Sequence, residues 1–556
     1  MIIDAVKLTD TYNVKVDICI VGAGAAGIAV AAELARSKCR VVLIESGGER
    51  PDKKLDDLFR GETAKNSNHP PLSLYRRRVI GGTTSVWGGR CVPFDEIDFE
   101  VRDYVPFSGW PIKLEELLPY YKRASIFCEA GPYQYTVKEV FGDNSGSLIQ
   151  GFVSDKVLTT SVERFSKPTD FGKRYEGVFV KSGNVDLIKN TTCTNISLNE
   201  SGNHVVKLIS KTLSGRKLEI VADHYVLALG GLETPRLMLA SNDVIGNGVG
   251  NTDDNVGRFY MCHLIDTSGT IKLTTDVRSV IYKYEKTREG VYCRRRFSIS
   301  PLVQRINKIG NFIARLHYPD AWDPSHGNGI LSSLFLAKIL VHPEYRSAFS
   351  KEEWVHSEFG NKTNLLWPHL RNVLFNIPEI IGFSQDIIRR RIFANRKLPS
   401  VVLEAKSNKY PLDVNAEQTP NPNSRVKLAT EKDRLGMPRI YVDWKTNELD
   451  LYTIEKSLEI IGEELDRKRF GCMQFDASSI QPVPQGGHHL GTTRMTSDIK
   501  EGVVDKDCRV HGVDNLFIAG SSVFPTSSHA NPTLTIVALA MRLASYLEHQ
   551  FATSKL

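Results

Sequence analysis

The chain has 556 residues, 41% hydrophobic and 24% charged, with a formal net charge of +7. That is ordinary globular composition, long enough for two or more cores, and its mild basic excess is spread out and excludes no class except a concentrated nucleic-acid patch. Nine scattered cysteines without a C-x-x-C pair point to free thiols in a reducing compartment, and no run approaches the roughly 18 apolar residues of a membrane span. Residues 1–14 hold no secretory core, so the expected location is cytoplasmic.

In chain order, residues 18–21 form an apolar run expected as a buried parallel strand. Gly22, Gly24 and Gly27 then fill a G-x-G-x-x-G pattern. In such a turn the first glycine permits the tight bend, the second lets backbone approach a pyrophosphate, and the third packs helix on sheet. A helix is expected over 25–36, with its N-terminus open to phosphates. A second apolar run, 41–44, ends at Glu45, where a carboxylate accepts from a ribose diol. Strand, glycines, helix, strand and terminal acid in this order point to a dinucleotide site.

Residues 76–99 read RRRVIGGTTSVWGGRCVPFDEIDF. Gly81, Gly82, Gly88 and Gly89 bracket Thr83, Thr84, Ser85 and Trp87; the loop either lies flat against a planar ring or is a plain glycine-rich surface loop. Pro111 and the apolar spacing after it predict a helix. Strands are expected over 185–188 and 191–198. A hairpin is expected from 205–209 and 218–221 around Gly215, followed by a strand over 225–229 that ends at Gly230–Gly231 and a helix opened by Glu233, Thr234 and Pro235 and running through Ala240.

Residues 260–480 differ in kind. Short β-rich stretches at 270–273 and 401–405 suggest an antiparallel sheet, with 425–428 and 440–444 as further strands of it joined around Gly436. Residues 447–467 read as an amphipathic helix. Helical spacing also marks 366–375 and 380–393, where Arg389, Arg390, Arg391, Arg396 and Lys397 cluster. The plain reading is a solvated helix end with cations at the negative dipole pole; the sharper one is a peripheral surface for anionic lipid or a lipid-linked substrate.

Near the C-terminus, residues 485–495 read QGGHHLGTTRM. Strands are expected over 504–510 and 516–519, then a turn at Gly520, Ser521 and Ser522. Ser528, His529 and Asn531 precede a long apolar helix with Pro532 in its first turn, so the dipole points at whatever lies beside Asn531.

These pieces together resemble the glucose–methanol–choline (GMC) family of flavin oxidoreductases. The likeness rests on VGAGAAG…IESGG, GGTTSVWGG, GGLETPRLMLAS, the H-x-x-G of residues 488–491, and DNLFIAGSSVFPT…ANPTLTIVALA, which occur in family order along nearly the whole chain. The ANPTLT ending most resembles the pyranose-oxidase and sugar-dehydrogenase branch; the glucose-oxidase type carries a second histidine near this place. The resemblance implies an α/β fold with a discontinuous Rossmann-like FAD domain (1–100, 176–260 and 480–556). It also implies a substrate domain with antiparallel sheet and helices (101–175 and 261–479, with 330–400 helical and basic).

The resemblance further implies FAD contacts at Gly22, Gly24, Ala25, Ala26, Gly27, Glu45, Ser46, Gly82, Thr83, Ser85, Val86, Trp87, Gly88, Gly520, Ser521, Asn531, Pro532 and Thr533. It makes His488 the catalytic base and Asn531 its partner. A histidine can take a hydroxyl proton at neutral pH, and an asparagine NH₂ can hold the substrate oxygen. His489 is the rival base, His529 reads as a helix-entry residue, and Arg494 either contacts substrate or braces the loop. Some pyranose oxidases attach flavin through a histidine in the glycine-rich loop; Val86 stands there, so FAD is expected to be non-covalent, and no metal is expected. The expected reaction is oxidation of a sugar or glycoside alcohol, with oxygen, a quinone or a protein as acceptor and no nucleic-acid partner. A polyol, sterol or aryl alcohol is the first alternative, and a flavin-bound lyase or non-catalytic FAD protein the second.

Overall fold

The computed structural model describes all residues except 10, 66, 144, 318–323, 341–362, 404, 406 and 555–556. Its first sheet has eight strands. Ile2–Asp4, Val185–Lys189, Val41–Ile44, Thr11–Val21 and Lys217–Leu227 lie side by side in parallel, and Leu516–Ile518 joins Lys217–Leu227 in parallel. Val205–Lys211 and Thr192–Leu198 add an antiparallel edge. The expected strand over 18–21 is the inner half of Thr11–Val21. Exposure alternates over its first residues and disappears from Asp17 onward, because the sheet is covered on both faces only there. Ile18, Ile20, Leu43 and Ile44 are all buried, each contributing roughly 1.5–3 kcal/mol relative to exposure.

Helix Ala25–Leu34 follows the glycine turn, and the C-terminal helix Thr533–Ser554 packs against it and against Leu114–Phe127. The expected helix after Pro111 is thus Leu114–Phe127, and the helix expected from Glu233 starts earlier, at the glycine pair, and runs over Gly230–Ala240. The hairpin around Gly215 forms as well, with Leu208 opposite Ile220.

The second sheet is antiparallel, in the order Gly471–Gln474, Thr270–Leu273, Lys409–Ala416, Phe312–Leu316, Phe297–Ile299 and Val157–Leu158, with Leu264–Asp266 also paired to Lys409–Ala416. Helix Glu448–Arg467 covers it, capped by the Asn447 side chain. Three expectations fail here. Residues 401–405 form no strand among those described: the Leu403 carbonyl and the Ala405 N–H both bond the Tyr282 hydroxyl (3.0 and 2.9 Å) rather than a neighbouring strand. Arg425–Lys432 and Pro438–Asp443 do pair, but in a separate three-stranded sheet, because Pro438–Asp443 takes Gly61–Thr63 as its parallel neighbour. Residues 504–510 make a turn, not a strand. The Asp505 carboxylate accepts from the Asp507 and Arg509 N–H groups, and Cys508 sits at φ 63°.

In the mixed region, helices run over Gly329–Leu340, Thr363–Phe375 and Ile377–Ile388, with a π turn at Arg389–Phe393. The second expected helix starts earlier than its apolar spacing suggests because Pro378 suits a first turn.

Candidate active site

The carboxyl ends of the parallel strands open onto a cavity of about 520 Å³. Of the residues expected at a cofactor, all but Gly27 and Ser85 line it. Gly27 is excluded for a packing reason: a Cβ there would lie 1.9 Å from the Gly22 carbonyl oxygen. Gly22 has φ +103°, and a Cβ on it would lie 2.6 Å from the Ala228 oxygen. Gly24 has open space where a Cβ would be, at the start of the helix, so the N-terminal N–H groups face the cavity. Ser85 turns its hydroxyl back to the Gly82 carbonyl (2.8 Å). The 81–89 loop is held against the turn by the Gly81 N–H on the Ala23 carbonyl (2.8 Å).

Glu45 accepts from the Ala23 N–H (2.7 Å) and the Gly47 N–H (3.0 Å), and burial raises its pKa. Beside it lies a charge cluster that local sequence patterns did not reveal. Glu233 accepts from Arg76 (2.9 Å), Arg78 (2.8 Å) and Arg236 (3.1 Å). Burial opposes its ionisation, but these guanidinium groups, Arg78 first, hold it down to about 2. Arg78 also donates to Ser46 (2.9 Å), and its Nε is buried with no partner among the described residues. Orphaned polar atoms, an open helix N-terminus and the Glu45 carboxylate in one cavity fit a dinucleotide such as FAD.

The other wall carries His488, His489 and Asn531. Asn531 Nδ2 donates to His488 Nε2 at 3.1 Å. His488 Nδ1 lies 2.8 Å from His263 Nδ1, and His263 Nε2 lies 2.9 Å from the Ser527 carbonyl. These contacts fix every proton. A carbonyl only accepts, so His263 carries its proton on Nε2 and accepts at Nδ1. His488 must then carry its proton on Nδ1, which leaves a lone pair at Nε2. Burial lowers the His263 pKa to about 3, and burial followed by His263 pushes His488 well below its ordinary value. His488 is therefore neutral and oriented. His263 was missed because its partner lies 225 positions away and no local motif marks it.

His489 belongs to a second chain. His69 Nδ1 donates to the Pro70 carbonyl (2.7 Å), so His69 Nε2 accepts from the Tyr260 hydroxyl (2.7 Å), which accepts from His489 Nδ1 (2.6 Å). His489 Nε2 is left with its lone pair and no partner among the described residues. His69, Cys262 and His489 bring their donor atoms within 4.8 Å of one another because each contacts the Tyr260 hydroxyl, Cys262 at 3.3 Å.

His529 stays outside the cavity, buried and bonded to Asp95 (3.0 Å). Arg494 is also outside: it donates to the Phe107 carbonyl and lies 4.5 Å over the Phe259 ring, which braces its loop. Val86 lines the cavity, whose histidines among the described residues are His488 and His489.

Comparison with known proteins agrees with this architecture. A GMC oxidoreductase family model matches residues 420–540, and an NAD(P)-binding Rossmann-like domain matches residues 20–50. The 2-methyl-1,2-propanediol dehydrogenase of Mycolicibacterium austroafricanum is 22% identical, covering 97% of this chain and 96% of its own. The fructose dehydrogenase large subunit of Gluconobacter japonicus is also 22% identical, covering 96% and 97%. A solved fungal aryl-alcohol oxidase shares the fold, with a TM-score of 0.54 at 15% identity over 98% of this chain and 100% of its own. The chain therefore carries a C-terminal GMC oxidoreductase domain behind a Rossmann-like segment, and over nearly its whole length it is similar to enzymes named as dehydrogenases.

Proposed function

We propose that this enzyme oxidises a primary or secondary alcohol of a sugar or glycoside to the carbonyl, with His488 as base and Asn531 as its partner. The observation that carries this reading is the 3.1 Å contact between Asn531 Nδ2 and a His488 Nε2 whose lone pair is fixed through His263. FAD supplies the two-electron acceptor for the hydride that leaves the CH–OH carbon. The alcohol oxygen enters between the two side chains, donating its O–H to His488 Nε2 and accepting from Asn531 Nδ2. His488 takes the proton, and the His263 Nδ1 lone pair stabilises the charge through the Nδ1–H.

Two further acceptors, His489 Nε2 and Asn531 Oδ1, are buried without partners among the described residues. Buried acceptors are satisfied by donors, so a substrate with additional hydroxyl groups suits the site better than an aryl alcohol. The same argument serves a diol or polyol, the second reading, which the similarity to the propanediol dehydrogenase favours. We read the segments of the parallel sheet, 1–100, 176–260 and 480–556, as the FAD-binding unit, and 101–175 and 261–479 as the substrate unit. We read the FAD as non-covalent, because Val86 replaces the histidine that would attach it. The acceptor is oxygen, a quinone or a protein, and nine scattered cysteines without a C-x-x-C pair suit a reducing, cytoplasmic setting.

The test is anaerobic mixing of the yellow holoenzyme with sugars, glycosides, polyols and aryl alcohols, following oxidised-flavin absorbance. Bleaching by sugars or glycosides is the expected result; bleaching by aryl alcohols alone would overturn the sugar reading. Admitting air or a quinone then identifies the acceptor, and colour that stayed with acid-precipitated protein would refute non-covalent attachment.

A further inference from the structure

Helix Thr363–Phe375 is built the wrong way round for a protein surface. It packs against Gly329–Leu340, and the side it buries is polar. His369 and Asn372 are buried against Ser332: the Ser332 hydroxyl bonds His369 Nδ1 at 2.9 Å and accepts from Asn372 at 3.2 Å. Asn372 also donates to the Pro324 carbonyl (2.8 Å), and the Phe335 ring stacks on His369 at 3.9 Å. The outward side is apolar. Trp367 is 69% exposed and Phe375 80%, with Leu370 and Leu374 between them, and the next helix continues the patch with Ile381 and Ile388. Single exposed apolar side chains need no explanation; a run of them opposite a hydrogen-bonded polar face does.

The cations of the region border this patch. Arg371 lies within the helix, and Arg389, Arg390 and Arg391 follow directly on Ile388, all exposed. Apolar aromatic and aliphatic side chains edged by arginines are complementary to an anionic bilayer surface, where the rings enter the acyl boundary and the guanidinium groups meet phosphates. Among the described residues no helix is long and apolar enough to cross a membrane, so the contact is peripheral. The patch also adjoins the active site. Ile387 and Tyr284 pack against the buried cluster of Phe165, Tyr292 and Leu398, and Phe165, Tyr284, Pro399 and Ser400 line the cavity.

We infer that helices Thr363–Phe375 and Ile377–Ile388, with Arg389–Arg391, dock the enzyme on an anionic membrane surface beside the wall of its active-site cavity. The inference stands independently of which alcohol is oxidised.

The experiment is co-sedimentation of the holoenzyme with phosphatidylcholine vesicles, with and without phosphatidylglycerol. Binding to the phosphatidylglycerol vesicles, weakened by salt, is expected. The triple variant Arg389→Gln, Arg390→Gln, Arg391→Gln should lower partitioning on the order of a hundredfold. Trp367→Glu with Phe375→Glu should abolish it, while flavin content and bleaching by a soluble substrate are retained. Absence of vesicle binding, or binding that these variants leave unchanged, would overturn the inference. So would a self-associated enzyme in sedimentation velocity that Trp367→Glu converts to monomer, because a second copy would then cover the face.

Discussion

His488 and His489 are adjacent in sequence and alike in charge, the first half-buried and the second buried, and the fold gives them different partners. Burial pushes both well below the ordinary histidine pKa. Both carry a proton on Nδ1, fixed in one case by His263 and the Ser527 carbonyl, in the other by Tyr260, His69 and the Pro70 carbonyl. They differ at Nε2. That of His488 faces the Asn531 amide; that of His489 faces no described partner. The comparison teaches that what separates these two histidines is the donor placed against the lone pair of one of them. The direction of their pKa shifts does not separate the two.

The sharpest way to break this comparison is His488→Ala, which should keep FAD while slowing substrate-dependent bleaching ~10²–10⁴-fold. A normal rate in that variant, with His489→Ala inactive, would reverse the two roles. Next comes His263→Leu, which removes the acceptor that holds the His488 proton on Nδ1. It should slow reduction on the order of 10²-fold, and His263→Asn, whose side-chain oxygen can still accept, should recover part of the loss. Equal damage from both would reduce His263 to a packing residue.

Tyr260→Phe frees His489 to change tautomer without touching His488. The expected result is a KM raised about tenfold, the worth of roughly one buried hydrogen bond, with kcat nearly kept; a collapse of kcat would tie Tyr260 to the chemistry. The smallest effect concerns pH. Because the His488 pKa is depressed, its basic form persists until pH falls through that lowered value. The kcat/KM profile should therefore stay flat down through the ordinary histidine value of ~6.5 and decline only below it. An acid limb centred at or above that value would assign the base to a solvated group.

The dinucleotide half of the site was legible because its parts are local. Gly22, Gly24, Gly27 and Glu45 sit on one βαβ unit, whose spacing follows from a tight turn and a close helix contact. The fold class and the Asn531–Pro532 helix entry were legible for the same reason. The partners that give the histidines their protons were not, since His263 and Tyr260 reach the 488–489 pair across 225 and 229 positions and His69 reaches Tyr260 across 191. The strand misreadings have a common cause as well: Tyr282 and Asp505 offered side-chain partners to backbone that a composition argument assigned to sheets. In helix Thr363–Phe375 the amphipathic period was visible, but a period tells only that two faces differ. Which face meets protein was decided by Ser332 and Phe335 on the neighbouring helix.

Leu516–Ile518 completes the parallel sheet beside Tyr225–Leu227, and Gly520, Asn531 and Thr533 close the cavity begun at Gly22. Ribosomal synthesis delivers these two walls some 500 residues apart, roughly 25–100 seconds at ordinary elongation rates. During that interval the glycine turn has no opposite wall, and the long strand Lys217–Leu227 has an open edge. Cofactor loading is therefore a late event in the life of the chain. Cellular flavin supply should govern how much finished protein becomes active, with little influence on how the N-terminal βαβ unit forms.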